Sequence, residues 1–262
     1  MDLGLTGKIA VVFAASKGLG KATAEALAAE GCMVAICSRD KEKISQVANQ
    51  IKANCNTEVY AHSVDVEYAE QIIQFLRNVI TRWGRIDILV TNAGGPPVRS
   101  FVETTDVEWE KYFKITFMSV VTALRMVLPQ MKTQKSGRII NITSISVKEP
   151  ISGLVYSNSL RLAVVGLAKT LAHEFGPFGI TVHNVAPGFH KTDGLERIVK
   201  KRQENGEKRE DIYAEWEKSV PLRRIGEPAE LASLITFLAS GQAAYMTGTT
   251  IQVDGGRYGG SL

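Results

Sequence analysis

The stretch IAVVFAASKGLGKATAEALA, residues 9–28, sets the architecture of this 262-residue chain. Its apolar run Ile9–Phe13 predicts a buried strand, and apolar residues recur at helical spacing in the segment that follows. In the turn Ala14–Gly20, Gly18 would let the backbone approach a pyrophosphate and Gly20 would allow close packing of helix on strand. Free N–H groups at the helix start would bind phosphate. The stretch predicts a dinucleotide site, although a simple tight turn would also use two glycines.

Short β-branched runs alternate with amphipathic segments along the whole chain. They predict seven strands: Ile9–Phe13, Met33–Cys37, Glu58–His62, Ile86–Val90, Arg138–Ile142, Ile180–Val185 and Thr249–Val253. Strict alternation of strands and helices indicates a parallel sheet with helices on both faces. The sequence therefore predicts a single α/β domain over residues 1–262, a Rossmann-type doubly wound parallel sheet.

Composition and charge exclude several classes of protein. Hydrophobic residues make up 45% and charged residues 22%, the ordinary globular mixture. The net charge of +4 comes from mixed signs along the chain, which does not indicate nucleic-acid binding. No apolar stretch reaches the length of a membrane span. The cysteines Cys32, Cys37 and Cys55 lack zinc-type spacing, so we expect no metal site. Their odd number indicates free thiols in a reducing compartment, so we expect a soluble cytoplasmic protein.

One segment departs from the alternation. Glu196–Lys218 is dense in charge, is interrupted by Asn205-Gly206, and lies between the sixth and seventh strands. It could be a solvated pair of helices or a lid over a ligand crevice. Because segments this long in compact domains are often functional, residues 193–218 are predicted to form a substrate lid.

Further motifs follow the other predicted strands. They are Asp65-Val66 after the third strand, Asn92-Ala93-Gly94 after the fourth, Pro187-Gly188 with Thr192 after the sixth, and Val253-Asp254-Gly255-Gly256 after Thr247-Gly248. In order and spacing, together with the glycine turn, they resemble the short-chain dehydrogenase/reductase family over essentially the whole chain. The resemblance implies a cofactor lying across the strand ends. The predicted cofactor-binding residues are Ala14, Ser16, Lys17, Gly18, Leu19, Gly20, Ser38, Arg39, Asp65, Val66, Asn92, Ala93, Gly94, Arg161, Pro187, Gly188 and Thr192.

Ala14 stands where the family has the first glycine of the turn. A methyl group is tolerable there at negative φ, but it costs about 1 kcal/mol or more if the turn requires a left-handed residue. A left-handed Ala14 is expected to weaken dinucleotide binding or to reshape the turn locally.

The choice of dinucleotide is argued from charge. NAD-specific sites place a carboxylate at the end of the second strand to accept a hydrogen bond from the ribose 2′-hydroxyl. Here Ser38 occupies that place, Arg39 follows it, and Lys17 supplies a second cation. These residues favour the 2′-phosphate of NADP(H), with NAD(H) less favoured. In the alternative interpretation both cations are surface charges and Asp40 caps the next helix.

The resemblance also implies a catalytic serine, a tyrosine, a lysine four residues later, and an asparagine. Ser144 matches the serine. A gap-free alignment places Ser157 at the tyrosine position and Arg161 at the lysine position, while Tyr156 falls one residue early. A one-residue slip restores the tyrosine but puts Leu160 at the lysine position. The asparagine position reads Thr116, so three of the four catalytic positions are altered.

Two functions are compatible with these residues. The first is an NADP(H)-dependent oxidoreductase of small carbonyls or secondary alcohols, similar to 3-oxoacyl-carrier-protein reductases and, less closely, to sugar dehydrogenases. Ser144 would polarise the oxygen, Arg161 would hold ribose, and the proton would come from water, from His190, or from Tyr156 after a local backbone shift. The second is a dinucleotide-binding sensor or assembly partner with little or no turnover.

The resemblance also implies a homotetramer. The predicted helices Trp109–Met131 and Ser157–Phe175 carry extensive apolar faces, and in this family such helices pack against a partner. The seventh strand, near the C-terminus, would form the other interface.

Overall fold

The computed structural model describes residues 2–261, which build one parallel sheet of seven strands. The strands are β1 Ile9–Val12, β2 Met33–Ser38, β3 Val59–Ser63, β4 Ile88–Thr91, β5 Gly137–Ile142, β6 Ile180–Pro187 and β7 Thr249–Val253. Each begins and ends within two residues of a predicted run. The prediction of a doubly wound, parallel α/β sheet is confirmed.

Helices cover both faces of the sheet. They are α1 Gly18–Ala29, α2 Lys41–Cys55, α3 Ala69–Trp83, α4 Asp106–Phe113, α5 Ser119–Gln134, α6 Val155–Phe175, α7 Asp193–Glu204, α8 Arg209–Ser219 and α9 Pro228–Ala239. Apolar residues of α1, α2 and α9 pack on one face, and those of α3, α5 and α6 pack on the other. Burial on both faces explains why the strands are continuous apolar runs rather than alternating ones.

The strand order β3-β2-β1-β4-β5-β6-β7 reverses direction between β1 and β4. In open α/β sheets, such a reversal leaves a crevice beyond the carboxyl ends of the strands, and ligands bind there. The glycine turn follows β1 and Asn92 follows β4, so both motifs lie beside this crevice.

The predicted helix Trp109–Met131 is in fact two helices. A π-helical segment, Lys114–Met118, joins α4 to α5. By length and composition the run Asp106–Gln134 could cross a membrane. In this fold, however, α5 packs against α3, and its residues Val120, Leu124 and Val127 belong to the core.

Helices α7 and α8 form a separate small layer. Leu195, Val199, Ile212 and Trp216 pack with Ile225 into an apolar cluster of their own. The charged segment between β6 and β7 is therefore an ordered helical pair.

Candidate active site

The glycine turn after β1 has a left-handed first residue. Ala14 has φ +50° and Gly18 has φ +55°. The methyl group of Ala14 is therefore in the costly conformation, at about 1–2 kcal/mol. A Cβ on Gly20 would lie 2.4 Å from the carbonyl oxygen of Ala14, so this glycine permits the close approach of α1 to the turn.

The N-terminus of α1 is free to bind an anion. Lys17 is the N-cap, in an extended conformation, and its side chain makes no capping hydrogen bond. The first turn contains no acidic residue. Its N–H groups and the helix dipole therefore favour a phosphate group, with Ser16 and Leu19 flanking it in the turn.

No carboxylate is available at the end of β2. The hydroxyl of Ser38 donates to the carbonyl oxygen of Asp40 over 3.1 Å, and Arg39 is exposed. The Asp40 side chain caps α2 by accepting a 3.0 Å hydrogen bond from the N–H of Lys43, and this bond holds the pKa of Asp40 below its usual range. The Asp40 cap that the alternative interpretation expects is therefore present. The last residue of β2 is Ser38 and not a carboxylate.

The ends of β3 and β4 complete the rim of the crevice. The Asp65 carboxylate accepts a 3.1 Å hydrogen bond from the backbone N–H of Glu67, and Val66 lies between the two residues in the chain. Asn92 approaches α1 so closely that a Cβ on Gly20 would lie 3.0 Å from its amide nitrogen. A Cβ on Gly94 would meet nothing within 4 Å, so open space lies beyond Ala93.

Ser144 lies two residues after β5, and its hydroxyl donates no hydrogen bond within the described part of the chain. The side chain caps a short 3-10 turn by accepting a 3.1 Å hydrogen bond from the N–H of Ser146. A hydroxyl has one donor and two acceptor positions, so Ser144 can still donate to a substrate oxygen.

Ser157, at the family's tyrosine position, does not replace a phenol. It is buried, and its hydroxyl lies 3.0 Å from that of Ser146. This contact ties α6 to the turn that Ser144 begins. Ser157 therefore supports the position of Ser144.

Tyr156 lies on the other side of α6. Its ring is fully buried against Trp109 and Tyr112, at centroid distances of 4.7 and 5.1 Å. The phenol donates a 3.0 Å hydrogen bond to the carboxylate of Glu108. Burial and this carboxylate raise the pKa of Tyr156. The structure does not bring Tyr156 together with Ser144 and Arg161.

Arg161 and Thr116 share a cleft beyond β4 and β5, lined also by Asn92 and Thr143. Arg161 is 9% exposed, and its guanidinium donates a 3.0 Å hydrogen bond to the carbonyl oxygen of Ile142. Burial lowers its pKa to about 10, which leaves it charged at neutral pH. The hydroxyl of Thr116, inside the π-helical segment, is buried without a hydrogen-bond partner among residues 2–261.

A buried polar chain that was not predicted from sequence crosses the sheet beside this cleft. Thr91 donates to Asn141 (2.7 Å), Asn141 to Asn184 (3.1 Å), and Asn184 to Thr250 (3.1 Å). Only the alignment of four strands brings these residues together. In the sequence, Asn141, Asn184 and Thr250 lie within predicted strands, and Thr91 directly follows one.

Comparison with known proteins assigns the family. Residues 13–257 match a family model described as enoyl-(acyl carrier protein) reductase. The chain is 34% identical to the 3-oxoacyl-[acyl-carrier-protein] reductase FabG of Staphylococcus epidermidis, over 96% of this chain and 99% of that one. It is 36% identical to the 3-oxoacyl-[acyl-carrier-protein] reductase of Synechocystis, over 96% and 97%. The protein is a short-chain dehydrogenase/reductase.

Solved structures agree. L-sorbose reductase from Gluconobacter frateurii, complexed with NADPH and L-sorbose, superposes with a TM-score of 0.95 at 30% identity, covering 99% of this chain and all of that one. The F189W variant of actinorhodin polyketide ketoreductase with NADPH superposes with a TM-score of 0.91 at 28% identity, covering 96% of this chain and 97% of that one. The prediction of an oxidoreductase of the short-chain dehydrogenase/reductase type is confirmed.

In this short-chain dehydrogenase/reductase, the residues present fit a dinucleotide. The uncapped N-terminus of α1 and the exposed cations Lys17 and Arg39 suit phosphates. The buried, unpartnered hydroxyl of Thr116 and the open space at Gly94 suit the rest of the molecule. Among residues 2–261, no group of three or more His, Cys, Asp or Glu side chains could hold a metal ion.

The segment after β6 contacts the glycine turn. Gly188 packs so tightly on Asp254 that a Cβ there would lie 2.7 Å from the Asp254 side chain. A Cβ on Gly18 would lie 3.3 Å from the methyl group of Thr192, which caps α7. Lys17 forms an exposed ion pair with Asp193. Pro187, Gly188 and Thr192 thus lead from the sheet to the glycine turn, and their binding of the cofactor stays a prediction.

His190 lies apart from the cleft of Arg161 and Thr116. It is buried, faces Gly226 and lines a different crevice with Arg224, Glu230 and Asp254. Burial lowers its pKa, so the imidazole is neutral at pH 7. The structure gives no support to the idea that His190 supplies the proton.

Proposed function

We propose that the protein is an NADP(H)-dependent oxidoreductase that acts on a small carbonyl compound or secondary alcohol. The relatives include reductases of 3-oxoacyl thioesters, and solved neighbours include NADPH complexes of a sugar reductase and a ketoreductase. Both thioester-like and polyol-like substrates are therefore compatible with this family.

The observation that carries the choice of cofactor is the end of β2. NAD-specific sites place a carboxylate at the end of the second strand to accept from the ribose 2′-hydroxyl, and Ser38 stands there in this chain. A 2′-phosphate needs cations, and Lys17 and Arg39 are exposed beside the turn. The ion pair of Lys17 with Asp193 is exposed, so it is weak enough for a phosphate to replace it.

Ser144 activates the substrate. NADPH, when bound, would supply the hydride that reduces the carbonyl group. The Ser144 hydroxyl donates its hydrogen bond to the carbonyl oxygen and stabilises the negative charge that develops there. Its own contact with Ser146, which Ser157 supports in turn, fixes the direction of the hydroxyl.

Water supplies the proton. The Tyr156 phenol is bonded to Glu108 and Ser157 is bonded to Ser146, so neither hydroxyl of this segment points into the cleft. A backbone shift at the start of α6 would have to break the contacts of Tyr156 with Trp109 and Tyr112. The absence of an aligned acid typically lowers the rate 10²–10⁴-fold, so a slow enzyme is expected.

Fluorescence titration of the protein with NADPH and with NADH tests the assignment. Tighter binding of NADPH is expected, because only NADPH carries the phosphate that Lys17 and Arg39 can bind. Equal or tighter binding of NADH would refute it.

A second function is favoured by one observation, the removal of the Tyr156 phenol from the cleft. A dinucleotide-binding sensor or assembly partner would keep the nucleotide site and lose the acid. Such a protein would bind NADPH without oxidising it in the presence of any carbonyl compound.

We also propose that the protein is a homotetramer, has a substrate lid and is cytoplasmic. The exposed apolar residues Val107, Phe113 and Leu162 lie on α4 and α6, which suits a homotetramer. Helices α7 and α8 suit a lid formed by residues 193–218, because Lys201 of α7 donates a hydrogen bond to the carbonyl oxygen of Val98. The unpaired cysteines, among them buried Cys32, suit a cytoplasmic protein.

A further inference from the structure

Lys17 already has an anionic partner within the protein. Its ammonium group forms an ion pair with the carboxylate of Asp193, which lies 176 residues later in the chain. Both side chains are more than half exposed, so the pair is open to a competing ion from solution. Lys17 is also one of the two cations that the proposed function assigns to the 2′-phosphate of NADPH. One ammonium group therefore has two candidate anions, a carboxylate of the protein and a phosphate of the cofactor.

The ion pair joins the start of α7 to the glycine turn. Asp193 is the first residue of α7 and directly follows the N-cap residue Thr192. The methyl group of Thr192 approaches Gly18 of the turn, so the two segments are also in van der Waals contact. An acidic residue in the first turn of a helix is stabilised by the helix dipole. Asp193 therefore keeps one favourable interaction when it loses Lys17, and its displacement costs little.

The two anions cannot share the ammonium group without repulsion. Each would lie about 2.8 Å from the nitrogen of Lys17, so their oxygen atoms would be less than about 6 Å apart. A 2′-phosphate at Lys17 therefore weakens the ion pair with Asp193, and by linkage the ion pair weakens the binding of the phosphate to the same extent. NADH carries a neutral hydroxyl in place of this phosphate and leaves the ion pair intact.

We propose that Asp193 is a specificity-determining residue that competes with the 2′-phosphate for Lys17, so that NADPH, and not NADH, releases the start of α7 from the glycine turn. This inference rests on the proposed function, because it requires the 2′-phosphate at Lys17. A second polar contact of α7, from Lys201 to the carbonyl oxygen of Val98 over 3.3 Å, lies in the other half of the helix and stays in place. The proposed lid is therefore loosened at its beginning only.

The dissociation constants of NADPH and NADH, measured by fluorescence titration, test the competition. At about 0.15 M salt, charges more than about 8 Å apart are largely screened, so only close contacts count. Asp193→Asn should tighten NADPH binding about two- to fivefold more than NADH binding, which corresponds to the strength of an exposed ion pair. Asp106→Asn is the matched control, because Asp106 is the exposed first residue of α4 and also follows a threonine N-cap, Thr105. It should leave the ratio of the two constants unchanged.

Lys17→Met separates competition for the ammonium group from a general effect of the Asp193 charge. Without the ammonium group there is nothing to compete for, so adding Asp193→Asn to Lys17→Met should not change the ratio of the two constants. Thermal unfolding shows that each variant is folded. The inference is overturned if Asp193→Asn leaves the ratio of the parent unchanged, or if it changes the ratio equally with and without Lys17.

Hydrogen exchange measures the release of α7 directly. In the parent, the amides of residues 193–199 should exchange faster with saturating NADPH than with saturating NADH, whereas in Asp193→Asn the two complexes should exchange at equal rates. Equal rates in the two parent complexes would contradict the release. If the parent prefers NADPH but its ratio does not respond to Asp193→Asn, only this inference fails, whereas equal or tighter binding of NADH by the parent overturns the proposed cofactor as well.

Discussion

Tyr156 donates a 3.0 Å hydrogen bond to Glu108, 48 residues earlier in the chain. The contact fastens the first turn of α6 to α4 and keeps the only tyrosine of the catalytic segment away from Ser144. Trp109 and Tyr112 close the same pocket around the ring. In this short-chain dehydrogenase/reductase the Tyr156 phenol is held in a packing contact with α4, and we propose that other groups carry out catalysis.

Tyr156→Phe should therefore change turnover by less than about threefold. The loss of the buried hydrogen bond should lower the free energy of unfolding by about 1 kcal/mol. Both are measured, by steady-state NADPH oxidation and by denaturant unfolding. Glu108→Gln, which weakens the same bond from the other side, serves as the control and should behave similarly.

Ala14→Gly should stabilise the protein. Ala14 has φ +50°, a left-handed conformation that costs an alanine about 1–2 kcal/mol. Glycine avoids this cost, and the greater conformational entropy that it gives the unfolded chain lowers stability by only about 0.4–1 kcal/mol. The melting temperature should rise by about 2 °C. The neighbouring buried Ala15, which is not left-handed, provides the matched control: Ala15→Gly should lower it. A fall for both variants would show that the turn does not strain Ala14.

Arg39→Asp should reverse the cofactor preference. Removal of a charge-assisted contact with the 2′-phosphate should weaken NADPH binding about 10-fold or more, while the new carboxylate can accept from the ribose hydroxyl of NADH. Arg77→Asp makes the same change in charge on α3 and should leave both dissociation constants unchanged. An Arg39→Asp variant with parent-like NADPH affinity would remove Arg39 from the site.

The protein should assemble into a tetramer, with a mass by light scattering about four times the chain mass of 28.6 kDa. Leu162→Glu places a charge on an exposed apolar position of α6 and should reduce the mass. Tyr68→Glu changes a position of similar exposure just before α3 and should not. A parent mass near that of one chain would contradict the proposed assembly.

The sequence predicted those features that depend on neighbouring residues. Buried strands are short apolar runs, so their places were predicted to within two residues, and the glycine turn was recognised because it lies between a strand and a helix. The register of Tyr156 was also readable, because one residue turns a side chain by about 100° around a helix.

Contacts distant in sequence were not predictable. Nothing near Tyr156 indicates Glu108 as its partner, and the chain from Thr91 through Asn141 and Asn184 to Thr250 exists only once four strands are aligned. The break at Lys114–Met118 was missed because its residues fit an α-helical pattern. The position of Thr116 in the cleft depends on that break.

Single-turnover oxidation of NADPH over a panel of carbonyl compounds, including β-ketoacyl thioesters and oxo acids, compares the parent with Ser144→Ala, Tyr156→Phe and Ser159→Ala. Ser159 is an exposed serine of α6 and serves as the control. If the Ser144 hydroxyl stabilises the developing charge, Ser144→Ala should lose about 10²–10³-fold in rate with unchanged NADPH affinity, while the other two variants stay near the parent. A loss of a hundredfold or more for Tyr156→Phe, or no turnover by the parent on any compound, would contradict the proposed mechanism.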